Sequence, residues 1–233
     1  MPQKLRCQVL ETVDHGGQVH SLTLASERPA PRFLPGQFLH LALDEYNPGD
    51  FWPESRVFSI ASVSDDRRQL HITYAVKGRF TARMETELHS GSEVWVKLPY
   101  GEFIVDASSE TCLLAGGTGI TAFTAFLSIL KEDQPNSVTL FYGARCPDLL
   151  IYRSQVEAAA ACPKLRPIFM VEEGRAPGCL PGRIELEQVF QSLPEPMSVT
   201  YYLSGPPAML KTLSVGLVER GVDSKRIRMD AWE

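Results

Sequence analysis

Two glycine-containing segments follow apolar runs, and the first has the residue types and spacing of a nucleotide-binding loop. The first reads Gly116-Gly117-Thr118-Gly119-Ile120-Thr121-Ala122 and contains G-x-G-x-x-A between an apolar run and a helical pattern. Glycines in such a turn let the backbone approach a pyrophosphate, and the start of the next helix supplies N–H groups and positive dipole. The second reads Ser204-Gly205-Pro206-Pro207-Ala208-Met209 and also follows an apolar run. The first segment therefore predicts contact with a nucleotide, with a turn that binds no ligand as the alternative, and the second is a further loop at the end of a strand.

The elements that must position these segments alternate between strand and helix. Apolar runs occur at Cys112–Ala115, Val138–Tyr142, Arg166–Val171, Val199–Leu203 and Ile227–Ala231. Helical patterns lie between them at Ile120–Leu130, Leu149–Ala161, Ile184–Leu193 and Ala208–Glu219. This alternation predicts a parallel sheet covered on both faces. With strand order 3-2-1-4-5, the first and fourth strands are neighbours at the switch point where open sheets bind ligands, so both loops reach one site.

The first half of the chain has a different rhythm, with short, partly alternating segments separated by turn formers. These lie around Cys7–Val13, Val19–Ala25, Gln37–Leu43, Val57–Ser62, Leu70–Val76 and Glu93–Leu98. They predict an antiparallel barrel or sandwich. One helix is expected at Thr81–Leu88, with Thr81 as its N-cap. The change of rhythm predicts two domains, 1–106 and 107–233.

The composition excludes several classes of protein. The 233 residues are 44% hydrophobic and 22% charged, with a net charge of −5, which is an ordinary globular balance. No basic block suggests nucleic acid, no apolar run is long enough to span a membrane, and the first residues carry no apolar signal segment. We therefore expect a cytoplasmic protein. The five cysteines lie too far apart for a zinc ribbon or an iron–sulfur cluster, so no metal site is expected.

Both loops, taken with Arg56-Val57-Phe58-Ser59, resemble the ferredoxin–NADP⁺ reductase superfamily. Its flavin motif is R-x-[Y/F]-S on a barrel strand, and its nucleotide domain carries GGTGI, a YGAR-like segment and C-G-P-P-x-M. Counterparts occur here in the same order across nearly the whole chain. The resemblance implies an antiparallel Greek-key β-barrel that binds FAD, followed by a five-stranded, parallel, doubly wound domain that binds NADH or NADPH.

The resemblance also assigns residues to FAD. Arg56 would pair with the pyrophosphate, Phe58 would stack on the isoalloxazine, and Ser59 would hydrogen-bond near N5, where hydride arrives. Without its neighbours, Phe58 would instead be read as a core aromatic. Further FAD contacts are implied at Val57, in the segment Tyr74, Ala75 and Val76, and in the turn Gly78, Arg79, Phe80 and Thr81. Trp232 would cover the flavin face, although packing of Trp232 on the barrel is an equal alternative.

On the nucleotide side, the resemblance implies contacts from both loops and from the ends of the second and third parallel strands. Ser204 stands where many relatives carry cysteine, and Ser59 and Ser204 are the candidate catalytic residues. The acidic residue usual after the second strand is missing, since the chain there reads Tyr142-Gly143-Ala144-Arg145. Glu172-Glu173 after the third strand predicts a preference for NADH, because a carboxylate accepts a bond from a ribose 2′-OH and repels a phosphate. The alternative is that both glutamates are solvated loop residues. The expected nucleotide contacts are Gly116, Gly117, Thr118, Gly119, Ile120, Thr121, Gly143, Arg145, Glu172, Gly205, Pro206 and Met209.

The implied reaction is hydride transfer from NAD(P)H to FAD, followed by electron transfer to a separate acceptor such as a ferredoxin or an oxygenase component. A reductase of free flavin with the same fold is the first alternative. The Gly78–Thr81 turn argues against it, because that turn grips the adenine dinucleotide. A non-catalytic, nucleotide-sensing subunit is the second alternative, and the intact motifs argue against it.

Overall fold

The structure is a computed structural model that describes residues 2–230 and divides into two compact units between Ile104 and Val105. The boundary predicted from the sequence follows Asp106. We call the two parts the amino-terminal unit and the carboxy-terminal unit.

The amino-terminal unit is an antiparallel sheet with one helix. Its strands are β1 (Gln3–Asp14), β2 (Val19–Ser26), β3 (Phe38–Ala42), β4 (Ser55–Ser59), β5 (Ser62–Val63), β6 (Gln69–Ala75) and β7 (Glu93–Tyr100), and its helix is α1 (Arg79–Glu87). The strands are ordered β4-β3-β7-β1-β2-β6-β5, and every neighbouring pair is antiparallel.

The two edge strands of this sheet are consecutive in the chain, which nearly closes the sheet into a barrel. Ile60 N–H donates to Gln37 O, beside β3, and the next residue, Ala61, donates to His71 O in β6. The backbone therefore crosses from one edge of the sheet to the other within two residues. The single strand predicted at Val57–Ser62 is wrong at this point, because the chain must bend there and form two strands.

Alternation along the strands explains the barrel core. Inward side chains of β1, β2, β6 and β7 are almost fully buried, and they include Leu5, Val9, Leu22, Leu24, Leu70, Ile72, Val94, Val96 and Leu98. Burying each such side chain stabilises the fold by roughly 1.5–3 kcal/mol. Because a slip of one residue would turn a whole strand's apolar set outward, this alternation fixes the register.

The carboxy-terminal unit is a parallel sheet with helices. Its strands are β8 (Thr111–Gly116), β9 (Val138–Ala144), β10 (Leu165–Val171), β11 (Cys179–Pro181), β12 (Thr200–Ser204) and β13 (Ile227–Met229). Its helices are α2 (Thr121–Leu127), α3 (Arg153–Ala159), α4 (Leu186–Ser192) and α5 (Pro207–Glu219), and short 3₁₀ turns occupy Gly117–Ile120, Pro147–Leu149 and Ser224–Arg226.

The strand order of this sheet is β11-β10-β9-β8-β12-β13. The five strands expected from the sequence appear in the order 3-2-1-4-5, and the short strand β11 is added at one edge. Every residue of β8 is buried, as expected for a strand with both faces covered. The fold class is therefore confirmed. Within residues 2–230, no helix combines the length and apolar character needed to cross a bilayer.

Two predicted helices are shorter than their sequence patterns. The pattern at Ile120–Leu130 begins as a 3₁₀ turn at Gly117 and ends as α-helix at Leu127, and the pattern at Leu149–Ala161 gives helix only at Arg153–Ala159. Glycine in the first case and proline in the second favour a tight turn ahead of regular helix. Apolar spacing alone does not show where the α-helical hydrogen bonds begin.

Candidate flavin and nucleotide sites

The two glycine-containing loops meet in the carboxy-terminal unit. Strands β8 and β12 are hydrogen-bonded neighbours, and Ser204 at the end of β12 is in register with Ala115. A Cβ placed on Gly205 would lie 3.0 Å from the Gly116 nitrogen, so the two backbones are in contact. The structure thus brings together the loops that the sequence predicted to share one sheet edge.

Close packing between the loops accounts for three of the glycines. A Cβ on Gly119 would lie 2.3 Å from the Ser204 carbonyl oxygen, and one on Gly116 would lie 2.6 Å from the Met209 sulfur. Gly205 also has φ +156°, a backbone conformation that favours glycine. A side chain at Gly119 would force the loops apart, one at Gly205 would crowd the Gly116 backbone, and one at Gly116 would displace the Met209 side chain.

Gly117 differs from its neighbours because a Cβ there would meet nothing within 4 Å. Its φ of +54° is left-handed, so its backbone faces open space in a conformation suited to glycine. Beside it, Thr121 Oγ1 donates to Thr118 O at 2.8 Å, and the Ile120 side chain is fully buried. Ile120 therefore offers a ligand no accessible surface, while Gly117 presents the open approach.

Ser204 makes a hydrogen bond that the sequence analysis did not anticipate. Its hydroxyl, in a residue only 3% exposed, donates to Asp230 Oδ2 at 2.9 Å. The Asp230 N–H donates to Leu203 O at 2.9 Å, which extends the pairing of β12 with β13. The bond uses the Ser204 proton and leaves the lone pairs of Oγ as acceptors.

Trp232, predicted to cover the flavin, lies outside the described residues.

The ends of β9 and β10 also lie at the edge where the loops meet. Gly143 is in register with Gly116, and the exposed Arg145 follows directly after β9. The Glu173 N–H donates to Arg145 O at 2.7 Å. Glu172 accepts a bond from Arg183 Nε at 2.7 Å, an ion pair that the sequence analysis missed because eleven residues separate the partners. Arg183 therefore offsets part of the Glu172 charge.

The four residues of the predicted flavin motif on β4, Arg56 to Ser59, differ in their surroundings. The Arg56 side chain is 51% exposed, and its guanidinium carbon lies 5.1 Å from the centre of the Phe80 ring. Phe58 is half-buried, packs against the barrel core and meets the Tyr74 ring edge-on at 6.0 Å. Val57 and Ser59 are half-buried and pair with β3. The core contacts of Phe58 match the alternative considered from the sequence, although the residue is only partly buried.

Of the segment expected to line the flavin, Tyr74 is buried and its two successors are partly exposed. Tyr74 stacks on His20 with ring centres 5.4 Å apart. Burial raises the pKa of Tyr74 to about 12, so its hydroxyl stays protonated at neutral pH. Ala75 and Val76 retain accessible surface. A ligand could therefore reach Ala75 and Val76 more easily than the Tyr74 ring.

The turn before α1 differs in detail from the prediction. The helix begins at Arg79 with Gly78 as its N-cap, so the prediction of Thr81 as N-cap is wrong. Thr81 Oγ1 instead accepts bonds from Lys77 N at 2.9 Å and from Gly78 N at 3.2 Å. Glycine has no side chain with which to cap a helix, so the threonine one turn along binds the preceding backbone.

The region around the start of α1 fits an anionic cofactor. The first turn of α1 contains no acidic residue, and a Cβ on Gly78 would meet nothing within 4 Å. The guanidinium groups of Arg56 and Arg79 are both accessible and lie within reach of one carboxylate, that of Glu54. Two such groups and an open helix start are a donor set suited to a pyrophosphate.

Comparison with known proteins identifies oxidoreductases that are similar to this chain. The family described as the oxidoreductase NAD-binding domain matches residues 113–214. The chain is 26% identical to the reductase component of propane 2-monooxygenase from Mycolicibacterium smegmatis, over 99% of the chain and 68% of that protein. It is 24% identical to a flavohemoprotein from Rhizobium meliloti, over 88% of the chain and 54% of that protein. The chain thus spans about half the length of the flavohemoprotein.

Among solved structures, a similar fold occurs in the FAD/NAD-binding domain of nitric oxide dioxygenase from Vibrio cholerae. The TM-score is 0.81 at 20% identity, and the match covers 97% of each chain. At this identity, the likeness supports the fold of both units.

Proposed function

This chain belongs to the ferredoxin reductase-like FAD/NAD-binding oxidoreductases, and from that membership we propose that it takes hydride from NAD(P)H and delivers electrons to a separate acceptor. One observation carries the proposal above all others. The loops at the ends of β8 and β12 pack backbone against backbone, with Gly117 facing open space beside them. This arrangement suits a dinucleotide at the switch point of an open sheet.

The FAD would be held by residues of the amino-terminal unit. We assign the pyrophosphate to Arg56, Arg79 and the start of α1 at Gly78, because the guanidiniums are accessible and the helix start is open. Phe58 and Ser59 on β4 would lie along the isoalloxazine, while Ala75 and Val76 would meet the ribityl chain. When bound, FAD and the nicotinamide supply the redox chemistry by hydride transfer between them.

The protein's own residues bind and orient rather than transfer protons. Ser204 is buried, and its hydrogen bond to Asp230 fixes the direction of the hydroxyl. We propose that the lone pairs of Ser204 Oγ accept a hydrogen bond from the edge of the nicotinamide. Asp230 would then be a positioning residue, because it holds the Ser204 hydroxyl in place. Such fixed geometry matters because small misplacements of reacting groups cost large factors in rate.

Electron acceptance by a separate protein is proposed from the names of relatives, which include reductase components of monooxygenases. Those names do not favour the reductase of free flavin. NADH remains the proposed donor because the Glu172 carboxylate, directly after β10, could accept a hydrogen bond from a ribose 2′-OH, although Arg183 would weaken its repulsion of a phosphate. A cytoplasmic location remains a prediction from the sequence.

The visible spectrum of freshly purified, desalted protein, followed by anaerobic addition of NADH, tests the proposal. A yellow protein that bleaches with NADH and passes electrons to cytochrome c or a ferredoxin is the expected result. A protein that oxidises NADH only with excess flavin, and releases reduced flavin, would point to the free-flavin reductase. No NADH oxidation under either condition would point to a nucleotide-sensing subunit.

A further inference from the structure

One carboxylate bridges the two arginines assigned to the FAD pyrophosphate. Glu54 Oε1 accepts a bond from Arg56 Nη2 at 3.0 Å, and Glu54 Oε2 lies 3.3 Å from Arg79 Nη2. Both oxygens of one side chain are therefore engaged by the two guanidiniums. Arg83, the next arginine of α1, is engaged elsewhere, since it binds Asp44 and Glu87.

The backbone that carries Glu54 is fixed on both sides. Trp52 Nε1 donates to Ser55 Oγ at 3.0 Å, and its ring lies 5.3 Å from that of Tyr46. Ser55 begins β4 and pairs with Ala42 in β3. Because the flanking residues are anchored, the Glu54 carboxylate could leave the arginines by side-chain rotation alone, with no change of the loop.

We propose that Glu54 occupies the arginine pair in the flavin-free protein, and that FAD must displace it to bind. The inference rests on the proposed function, since it concerns the same arginines. A pyrophosphate carries two negative charges and matches guanidinium geometry, so it outcompetes one carboxylate. The displaced carboxylate stays close to the bound phosphates and repels them. Glu54 thereby lowers the affinity of this chain for FAD and sets how readily the flavin exchanges.

The geometry limits the size of the effect. The side chains of Arg79, Arg56 and Glu54 are 84%, 51% and 39% exposed, so solvent screens both ion pairs. Each exposed pair changes an equilibrium by a factor of only about 1.5–5. With both pairs acting, we expect the glutamine variant to bind FAD about three- to tenfold more tightly than the wild type.

The test compares FAD dissociation constants of flavin-free wild type, Glu54→Gln and Glu45→Gln, measured by quenching of flavin fluorescence. Glu45→Gln removes the same charge from the same exposed segment, where Glu45 acts on Arg6 rather than on the arginine pair. We expect Glu54→Gln to tighten binding and Glu45→Gln to change it by less than about twofold. Melting temperatures of the flavin-free proteins check that each is folded.

A second background tests whether the effect passes through the arginines. In Arg79→Ala, one of the two partners of Glu54 is gone, so adding Glu54→Gln should improve FAD binding by a smaller factor than in the wild type. Unchanged or weaker FAD binding by Glu54→Gln, or an equal gain in both backgrounds, would overturn the inference and leave the proposed function intact. If none of the proteins binds FAD, the proposed function fails and the inference fails with it.

Discussion

In the carboxy-terminal unit the candidate site consists of backbone held against backbone, whereas in the amino-terminal unit it consists of charged side chains on the surface. Gly119 approaches the Ser204 carbonyl so closely that a Cβ would lie 2.3 Å from that oxygen. Arg56 and Arg79, by contrast, are more than half exposed, and each forms an ion pair with Glu54. The positions of the two glycine-containing loops are therefore fixed by steric fit between their backbones. This fit forms without a ligand. The candidate flavin site, by comparison, contains exposed ion pairs, which a ligand could replace.

The largest effect should come from breaking the steric fit. In Gly119→Ala, the added methyl group would require the Ser204 loop to move, and overpacking of this kind costs about 1–3 kcal/mol. Because the displaced residue is a candidate catalytic group, we expect kcat/KM for NADH to fall by about a hundredfold. Stopped-flow reduction of the bound flavin measures this directly.

Gly49→Ala is the matched control, because a Cβ there would meet nothing within 4 Å. It should leave both stability and kcat/KM close to those of the wild type. Full activity of Gly119→Ala would mean that the loops are not fixed by this contact.

Arg56→Ala tests the candidate site of the amino-terminal unit, which consists of charged side chains. Arg56 is half exposed and lies outside the barrel core, so the variant should fold normally but purify largely free of flavin. Charge-assisted bonds are worth roughly 1.5–3 kcal/mol, which corresponds to about ten- to a hundredfold weaker FAD binding. The ratio of flavin to protein absorbance after desalting gives the occupancy.

Arg6→Ala provides the comparison for Arg56→Ala, since Arg6 has the same charge, a similar exposure and an ion pair with Glu93 on the same barrel. That variant should keep its flavin. Full occupancy in Arg56→Ala would refute the assignment of Arg56 to the pyrophosphate.

Nucleotide preference tests the same contrast between packing and charge. In the carboxy-terminal unit we expect this preference to depend on exposed charges rather than on packing. We expect the wild type to prefer NADH, and Glu172→Ser with Glu173→Arg to move the ratio of kcat/KM values towards NADPH by about tenfold. Arg183→Gln should move the ratio the other way, since Arg183 offsets the Glu172 carboxylate at 2.7 Å. A wild type that uses NADPH better, or a ratio unchanged by the double substitution, would contradict the assignment.

The smallest effect concerns acid stability, which should differ between the units. All five histidines precede residue 105. Burial lowers the pKa of His15, His40 and His71, and Lys97 lowers that of His40 further. Below about pH 6.5 the unfolded chain takes up protons that these folded rings resist. The free energy of unfolding should therefore fall as the pH drops from about 6.5 towards the folded pKa values.

Hydrogen exchange at about pH 7.5 and 5.5, after correction for intrinsic rates, distinguishes the two units. Protection should decrease in the barrel and stay nearly constant in the carboxy-terminal unit. His71→Gln should reduce the pH dependence of the barrel. Equal loss of protection in both units would rule out the histidines as the cause.

Motifs read from the sequence identified the segments that matter in each unit, because their chemistry is local. Glycine spacing at Gly116–Gly119 and the switch from alternation to strand–helix rhythm predicted the fold class and the meeting of the two loops. Local spacing could not separate Gly117, which faces open space, from Gly119, which packs on Ser204. It also placed Thr81 at the N-cap, a position that Gly78 takes.

What only the tertiary structure decided are the pairings between side chains far apart in the chain. Glu54 meets Arg79 across 25 residues, and Ser204 meets Asp230 across 26. The spacing of apolar residues along the sequence does not predict such contacts. They depend on how strands and helices pack together rather than on the backbone conformation of either partner. The chain's own sequence thus determined where the backbone would form a glycine-rich loop between a strand and a helix, since glycine acts through local sterics. The fold determined which charged groups and hydroxyls would pair, since ion pairs and hydrogen bonds depend on distance in space rather than on separation in the sequence.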